Sequence, residues 1–197
     1  YEGLGNLPGE KAHQRMAPYK RPSSTMVSMD ESINPRQSAV ALLFYPKDDS
    51  IHFCLTERAN YNGTHGGQIS LPGGKMEQVD QSLKHTALRE TEEEIGIARD
   101  TITILGELSQ VYIPPSNFMV TPFVGFLDNP PAFISNHEVA NIIEPSIIDL
   151  INENNLVKET VKTKYGNFSV PAYNFNQNIV WGATALILSE FELLVNK

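Results

Sequence analysis

Four glutamates crowd one end of a predicted helix in this sequence. They are Glu90, Glu92, Glu93 and Glu94, and they occupy little more than one helical turn. Glu90 and Glu94 lie four residues apart on one face, where like charges repel by about 0.2–0.5 kcal/mol, and the helix macrodipole disfavours anions at that end. Because the arrangement opposes local stability twice, it indicates a compensating cation. Carboxylate oxygens favour a divalent ion such as Mg²⁺ or Mn²⁺.

A double glycine, Gly73-Gly74, precedes the same helix. Glycine lets the main chain approach closely, so a carbonyl of this loop can reach the ions that the helix holds. The side chains of Glu90 and Glu94 begin about 6 Å apart along the axis and can converge on one ion or a bridged pair. Arg89 precedes Glu93 by four residues, which predicts an ion pair that orients the Glu93 carboxylate. The alternative is a solvated acidic helix face.

The length, charge and composition of the chain limit the kinds of partner that it can bind. Its 197 residues suit one domain, and the formal net charge of −8 disfavours a nucleic acid partner. The single cysteine, Cys54, excludes an internal disulfide and favours a reducing, cytoplasmic location. No apolar run approaches the roughly 20 residues of a membrane span. The chain begins at Tyr1 rather than Met, which leaves a missing N-terminal piece open.

The elements that must position the glutamates follow from local patterns. A helix is predicted from about Gln81 to Ile95, with Asp80 as its N-cap and Gly96 closing it. Residues 1–36 are predicted to form a short helix near 8–16 and then an extended lead-in. Strands are predicted over 38–45, 51–56, 68–71, 101–112, 120–127, 156–164 and 168–173, with further helices over 145–152 and 183–195. The first two strands are predicted to form a hairpin through a turn at 46–50, residues 60–67 a loop, and residues 165–167 a hairpin turn. This order predicts a mixed α/β (α+β) fold, with helices packed on a mixed sheet in a single domain.

The acidic segment resembles a known family motif. The residues Arg89-Glu90-Thr91-Glu92-Glu93-Glu94-Ile95-Gly96-Ile97 fit the second half of the box G-x5-E-x7-R-E-U-x-E-E-x-G-U, where U is apolar, of the Nudix hydrolases. The first half is offset by one extra loop residue. Gly74 therefore falls one position early, and Asp80 stands beside Gln81, where the box glutamate is expected.

Upstream segments resemble one branch of that family, the coenzyme A pyrophosphatases. Leu55-Thr56-Glu57-Arg58-Ala59 and His65-Gly66-Gly67-Gln68-Ile69-Ser70-Leu71-Pro72-Gly73-Gly74 are similar to the branch signature, and Asp80 with Thr86-Ala87-Leu88-Arg89-Glu90 continues it. Two residues depart from the pattern. Leu71 replaces the usual Phe, and Gly63 stands where an Arg is often found.

The resemblance implies a Nudix-like α/β/α sandwich over residues 1–197, with the box loop and helix at 72–97. It also implies hydrolysis of coenzyme A or an acyl derivative to 3′,5′-ADP and 4′-phosphopantetheine, with Mg²⁺ or Mn²⁺ as cofactor. In that scheme Glu90, Glu94, Glu93 and Gly74 hold the metal. Catalysis is assigned to Glu90, Glu93 and Arg89, where Glu93 shares the metal or accepts the proton of water and Arg89 fixes the carboxylates.

Three further residues are candidates for binding the substrate: Arg58, His65 and Gln68. Arg58 could contact phosphate or pair with the acidic helix, and Gln68 could bind substrate or satisfy backbone groups. His65 is expected to position its loop rather than act as a base. Glu138 is either a distant third acid or a solvated loop residue. The expected partner is a coenzyme A-like nucleotide, without nucleic acid or membrane, and a homodimer is left open.

Two alternatives to coenzyme A hydrolysis remain at this stage. One is a Nudix hydrolase for another nucleoside diphosphate derivative, such as ADP-ribose, or for an oxidised nucleoside triphosphate. The other is a Nudix domain that binds a nucleotide without hydrolysing it.

Overall fold

A computed structural model describes residues 6–18, 23–30, 32–59, 67–163 and 166–196. Within these ranges the strands are β1 (Arg36–Lys47), β2 (Ser50–Phe53), β3 (Leu55–Arg58), β4 (Ile69–Ser70), β5 (Gly73–Lys75), β6 (Thr103–Glu107), β7 (Val111–Ile113), β8 (Phe118–Phe126), β9 (Val139–Ile143), β10 (Leu156–Thr163), β11 (Gly166–Phe175) and β12 (Asn178–Val180). The helices in the same ranges are α1 (Glu10–Met16), α2 (Ser24–Met29), α3 (Leu83–Ile95), α4 (Ile147–Ile151) and α5 (Ala183–Val195).

Strand β1 is the centre of a mixed sheet with the order β2-β1-β8-β6, to which β5 and β7 add. It runs parallel to β8 and antiparallel to β2 and β5. Its residues 38–45 are nearly all apolar, as expected for a strand covered on both faces. The prediction of a mixed sheet with helices is confirmed.

Alternate side chains of β1 enter two separate cores, because successive residues of a strand point to opposite faces. Leu42 and Phe44 belong to the core that α5 covers, and Phe44 stacks on Phe191 with the ring centroids 4.5 Å apart. Leu43 and Tyr45 belong to the core that α3 covers. Helices therefore cover both faces of the sheet, which gives the predicted α/β/α layers.

The hairpin predicted after β1 is present. Lys47 pairs with Ser50, and the two turn residues Asp48 and Asp49 have φ of 49° and 60°. Positive φ at both central positions fits the turn twist that antiparallel strands require. Pro46, predicted as part of the turn, lies inside β1 instead.

The structure differs from the sequence prediction at two places, the lead-in before β1 and the start of α3. The lead-in predicted as extended within residues 1–36 contains the helix α2, whose Ser24 hydroxyl accepts a hydrogen bond from the Tyr112 main-chain N–H at 3.0 Å. Helix α3 begins at Leu83 and its N-cap is Ser82, whose side chain accepts from the His85 N–H at 3.1 Å. Asp80 is therefore not the N-cap.

Two predicted loops fall partly outside the described residues. Residues 60–66 of the loop predicted over 60–67 and residue 165 of the turn predicted at 165–167 lie outside the described residues, as does residue 164 at the end of the predicted strand before that turn. The strands on either side of the second turn do pair antiparallel, with Thr163 opposite Gly166. In the ranges that the structure describes, no helix has the length and apolar character to cross a membrane.

Candidate active site

The C-terminal half of α3 lies beside the short strand β5. Antiparallel pairing of β5 with β1, with Gly73 opposite Val40, holds the double glycine next to the helix. The helix ends as predicted at Gly96, which adopts the left-handed conformation with φ of 73°. The site predicted from the sequence is therefore assembled from one helix end and one strand.

Each glycine of the pair meets one glutamate of the helix. The Gly73 main-chain N–H donates to Glu94 Oε2 at 3.1 Å. A Cβ placed on Gly74 would lie 2.4 Å from Glu90 Cδ, so only a glycine leaves room for that carboxylate. The structure thus brings together three of the predicted metal ligands, namely Gly74, Glu90 and Glu94.

The electrostatics of these two glutamates favour a cation. Burial raises the pKa of Glu94 to about 7, and the nearby charge of Glu90 adds to that shift, while the Gly73 N–H opposes it. Burial also raises the pKa of Glu90, against the opposing charge of Arg89. Because burial disfavours the ionised form of these carboxylates, a bound divalent ion stabilises that form strongly. An all-oxygen donor set is the kind that Mg²⁺ and Mn²⁺ prefer, so the residues present fit the predicted cofactor.

Arg89 is fixed by a buried carboxylate. Its Nε and Nη2 each donate to an oxygen of Asp80 at 2.9 Å, and its Nη2 also donates to the Lys75 carbonyl at 3.3 Å. The fork of two parallel bonds holds the pKa of Asp80 well below its usual range. From the sequence, Asp80 is predicted to cap the helix and stands beside the position of the box acid. Its nine-residue separation from Arg89 is not a helical contact spacing, so the sequence pattern does not indicate this pair.

The remaining nitrogen of Arg89 faces the glutamates. Nη1 lies 2.9 Å from Glu90 Oε1 and donates to Glu93 Oε2 at 3.0 Å, which is the ion pair predicted between Arg89 and Glu93. Glu93 is 55% exposed, whereas Glu94 is buried. Glu92 forms a separate ion pair with Arg99.

The four glutamates therefore do not form one cluster. Among the described residues, no three Asp, Glu, His or Cys side chains are arranged to hold a metal ion. Glu93 pairs with Arg89, whereas Glu94 accepts from the Gly73 N–H, and the joint ligation of a metal by Glu90, Glu93 and Glu94 stays a prediction.

Two of the predicted substrate residues, Arg58 and Gln68, belong to or adjoin the neighbouring sheet of β4, β3 and β9. Arg58 ends β3, and its guanidinium pairs at 3.5 Å with Glu138, not with the acidic helix. Its positive charge lowers the pKa of Glu94 and the charge of Glu138 raises it, so both groups lie within electrostatic reach of Glu94. The carbonyl of Gln68 accepts from the Arg58 N–H at 3.0 Å. His65 and Gly63 lie outside the described residues.

Comparisons with known proteins agree with this geometry. The model of the NUDIX domain matches residues 35–144. Two curated relatives, from Yersinia pestis (strain Pestoides F) and Yersinia pseudotuberculosis serotype O:1b (strain IP 31758), are each called uncharacterized Nudix hydrolase NudL. Each is 34% identical over 135 residues, which is 68% of this chain and 67% of the relative.

Solved structures share the fold. A MutT/nudix family protein from Enterococcus faecalis has a TM-score of 0.56 at 14% identity and covers 95% of this chain and 73% of its own. The MutT protein from Methanosarcina mazei Go1 has a TM-score of 0.54 at 21% identity and covers 85% and 99%. From the family match and the curated relatives, the chain belongs to the Nudix family and is a hydrolase of that family. Nudix hydrolases in general use divalent metal ions.

Proposed function

We propose that this enzyme hydrolyses the pyrophosphate bond of coenzyme A or an acyl-coenzyme A, releasing 3′,5′-ADP and 4′-phosphopantetheine or its acyl derivative. The observation that carries the proposal is that Gly73-Gly74 adjoins both Glu90 and Glu94. Arg58, from the upstream segment that resembles the coenzyme A branch, lies within electrostatic reach of Glu94. This proximity supports the proposal that the two parts of the resemblance form one site.

Glu90 and Glu94 would hold the divalent ion, together with main-chain oxygen near Gly74. Both side chains are at least half-buried and both have raised pKa values, so a cation stabilises their ionised forms. When bound, Mg²⁺ or Mn²⁺ supplies Lewis-acid activation of water and offsets charge on the phosphoryl oxygens.

Arg89 would keep the carboxylates in place during turnover. Asp80 fixes its Nε and Nη2, so the direction of Nη1 toward Glu90 and Glu93 is set by the protein. Glu93 is the most exposed of the three glutamates near Arg89 and Gly74. Glu93 would therefore accept the proton of the attacking water. Alternatively, the Glu93 carboxylate would leave Arg89 and bind the metal.

Arg58 would bind a phosphate oxygen of the substrate, with Gln68 and His65 on the adjoining segment. The Arg58–Glu138 pair is about half-exposed on both sides, at 48% and 47%, so a phosphate can compete for the guanidinium. An exposed pair of this kind stabilises the fold by only about 0–1 kcal/mol, so replacing Glu138 with a phosphate as the partner of Arg58 costs little stability.

We also propose that residues 1–197 act as one domain. The support is that α1 packs on α5, which itself covers the central sheet: the Ser189 hydroxyl donates to the Ala12 carbonyl at 3.1 Å. The homodimer, the lack of a nucleic acid partner and the cytoplasmic location stay predictions, the last supported by the buried, free thiol of Cys54.

Incubation of the purified protein with coenzyme A and Mg²⁺ or Mn²⁺, followed by separation of the products, tests the proposal. Release of 3′,5′-ADP that disappears in EDTA is expected. Absence of release with either metal, from protein that hydrolyses another Nudix substrate, would refute coenzyme A as the substrate.

A second candidate is hydrolysis of ADP-ribose or an oxidised nucleoside triphosphate. Gly63 and Leu71 keep this candidate open, because they replace an Arg and a Phe of the coenzyme A pattern. The same experiment run with these substrates side by side compares kcat/KM directly. The substrate with the highest value by at least about tenfold is the preferred one.

A further inference from the structure

A chain of polar contacts runs along α3 through Glu92, Arg99, His85 and Asp80. Glu92 accepts from Arg99 Nε at 2.7 Å, and Arg99 Nη1 lies 3.4 Å from His85 Nε2. The other ring nitrogen of His85, Nδ1, lies 2.9 Å from Asp80 Oδ1. Asp80 in turn holds Arg89. The positions of Glu92, His85 and Arg99 carry no required residue of the Nudix box.

The neighbours of His85 define its tautomer. An ionised carboxylate can only accept hydrogen bonds, so Nδ1 carries the hydrogen and donates it to Asp80. A guanidinium can only donate, so Nε2 presents its lone pair to Arg99. Both contacts therefore fit the same tautomer, with the hydrogen on Nδ1 and the lone pair on Nε2.

His85 has a specific place among the partners of Asp80. Oδ2 accepts from Arg89 Nη2, from the Thr86 hydroxyl at 3.0 Å and from the Glu77 N–H at 2.9 Å. Oδ1 accepts from Arg89 Nε and from His85 Nδ1. Among the described residues, His85 is therefore the one group other than Arg89 that holds Oδ1.

We infer that His85 is a positioning residue for the hydrolysis. It fixes the rotation of the Asp80 carboxylate and thereby the direction in which Arg89 Nη1 meets Glu90 and Glu93. The inference rests on the proposed role of Arg89. Asp80 is fully buried and Arg89 is 9% exposed, and both Asp80 oxygens accept from the guanidinium, so a rotation of the carboxylate moves the guanidinium with it.

The size of the effect follows from the remaining partners. Oδ2 keeps three hydrogen bonds when His85 is lost, so Asp80 stays in place and only its orientation loosens. Loss of an outer partner of an active-site group commonly lowers activity about 10- to 100-fold. We expect the lower end, with kcat falling about tenfold and KM changing less than about twofold, because the side-chain contacts of His85 are to Asp80 and Arg99 and not to a proposed substrate residue that the structure describes.

Two substitutions of His85 separate positioning from folding. His85→Leu removes both ring nitrogens, whereas His85→Asn keeps an N–H donor where Nδ1 stands. The matched control is Lys84→Leu, one residue away on an exposed position of the same helix. The expected order of kcat is wild type and Lys84→Leu highest, His85→Asn within about threefold of them, and His85→Leu about tenfold lower. Equal kcat in His85→Leu and Lys84→Leu, or no recovery in His85→Asn, would overturn the inference.

A measurement without substrate keeps the inference separate from the proposed function. In ¹⁵N NMR spectra, the His85 imidazole of the wild-type protein should show the hydrogen on Nδ1, and Asp80→Asn should change that signal. A hydrogen on Nε2 would contradict the assigned contact whatever the enzyme hydrolyses. The kinetic comparison uses whichever Nudix substrate the protein turns over, so failure of coenzyme A alone leaves this test intact.

Discussion

Gly74 and Glu90 occupy adjoining space: a Cβ on Gly74 would lie 2.4 Å from Glu90 Cδ and 2.5 Å and 2.6 Å from its two carboxylate oxygens. Gly73, one residue earlier, touches main chain instead, since its added Cβ would lie 2.3 Å from the Ala39 carbonyl oxygen. The two positions thus require glycine for different reasons. One leaves room for a functional carboxylate, and the other lets β5 pair closely with β1.

Gly74→Ala should fold but lose activity. The clashing atoms belong to the free end of the Glu90 side chain, which can swing aside at small cost to stability, and this moves the carboxylate from the proposed metal position. We expect kcat/KM to fall about 100-fold or more while the melting temperature changes little. Gly73→Ala is the contrast, because it clashes with main chain at a φ of 149° and should destabilise the protein strongly. Normal activity in a folded Gly74→Ala protein would contradict the role of Glu90.

Glu94→Gln should abolish most of the turnover and leave the fold intact. The neutral amide binds a divalent ion much more weakly than a carboxylate, so we expect kcat to fall about 100-fold or more at saturating Mg²⁺. Glu107→Gln, an exposed glutamate at the end of β6, is the matched control. Circular dichroism checks the fold of both variants. Unchanged turnover in Glu94→Gln would remove the metal assignment.

Without metal, Glu94 should make stability fall as the pH rises. Its pKa is about 7 in the folded protein, against an ordinary value of 4.5, so between these values the folded state holds one more proton than the unfolded state. The free energy of unfolding then decreases as the pH increases from about 4.5 to 7. Relative to Glu94→Gln, the wild type should lose about 3 kcal/mol across this interval, measured by urea unfolding in EDTA. Parallel pH profiles for the two proteins would argue against a buried Glu94.

Divalent ions should stabilise the wild type against heat. Binding to the folded state adds RT ln(1 + [L]/Kd) to stability and relieves the repulsion between Glu90 and Glu94. Melting curves with millimolar Mg²⁺ or Mn²⁺ should therefore shift upward, and more so at pH 8 than at pH 5, because protons compete for Glu94. The Glu94→Gln protein should show little shift. A wild-type curve indifferent to both metals would count against the site.

Arg58 and Glu138 should have opposite effects on KM. Arg58→Ala removes a phosphate ligand and should raise KM about tenfold, whereas Glu138→Gln frees the guanidinium and should lower KM about two- to fivefold. Lys158→Ala, on an exposed position of β10, controls for loss of one positive charge. If neither change affects KM, the phosphate binds elsewhere.

Local features could be predicted from the sequence because their causes lie within a few residues. The helix of the box, its end at Gly96, the hairpin after β1 and the ion pair between Arg89 and Glu93 depend on helical spacing, turn chemistry and glycine conformation. The family also followed from local spacing, since the box is a contiguous motif. The N-cap and the helix α2 were missed because several polar residues nearby can cap or continue a helix, and packing decides among them.

The tertiary structure decided which polar groups that are distant in the sequence come into contact. Asp80 reaches Arg89 across nine residues, Gly73 reaches Glu94 across 21, and Arg58 reaches Glu138 across 80. Such pairs depend on how β5, β3 and β9 align, and a side-chain pattern along the chain does not contain that alignment. For the same reason the sequence presented four clustered glutamates, while the folded protein directs Glu90 and Glu94 to the double glycine, Glu93 to Arg89 and Glu92 to Arg99.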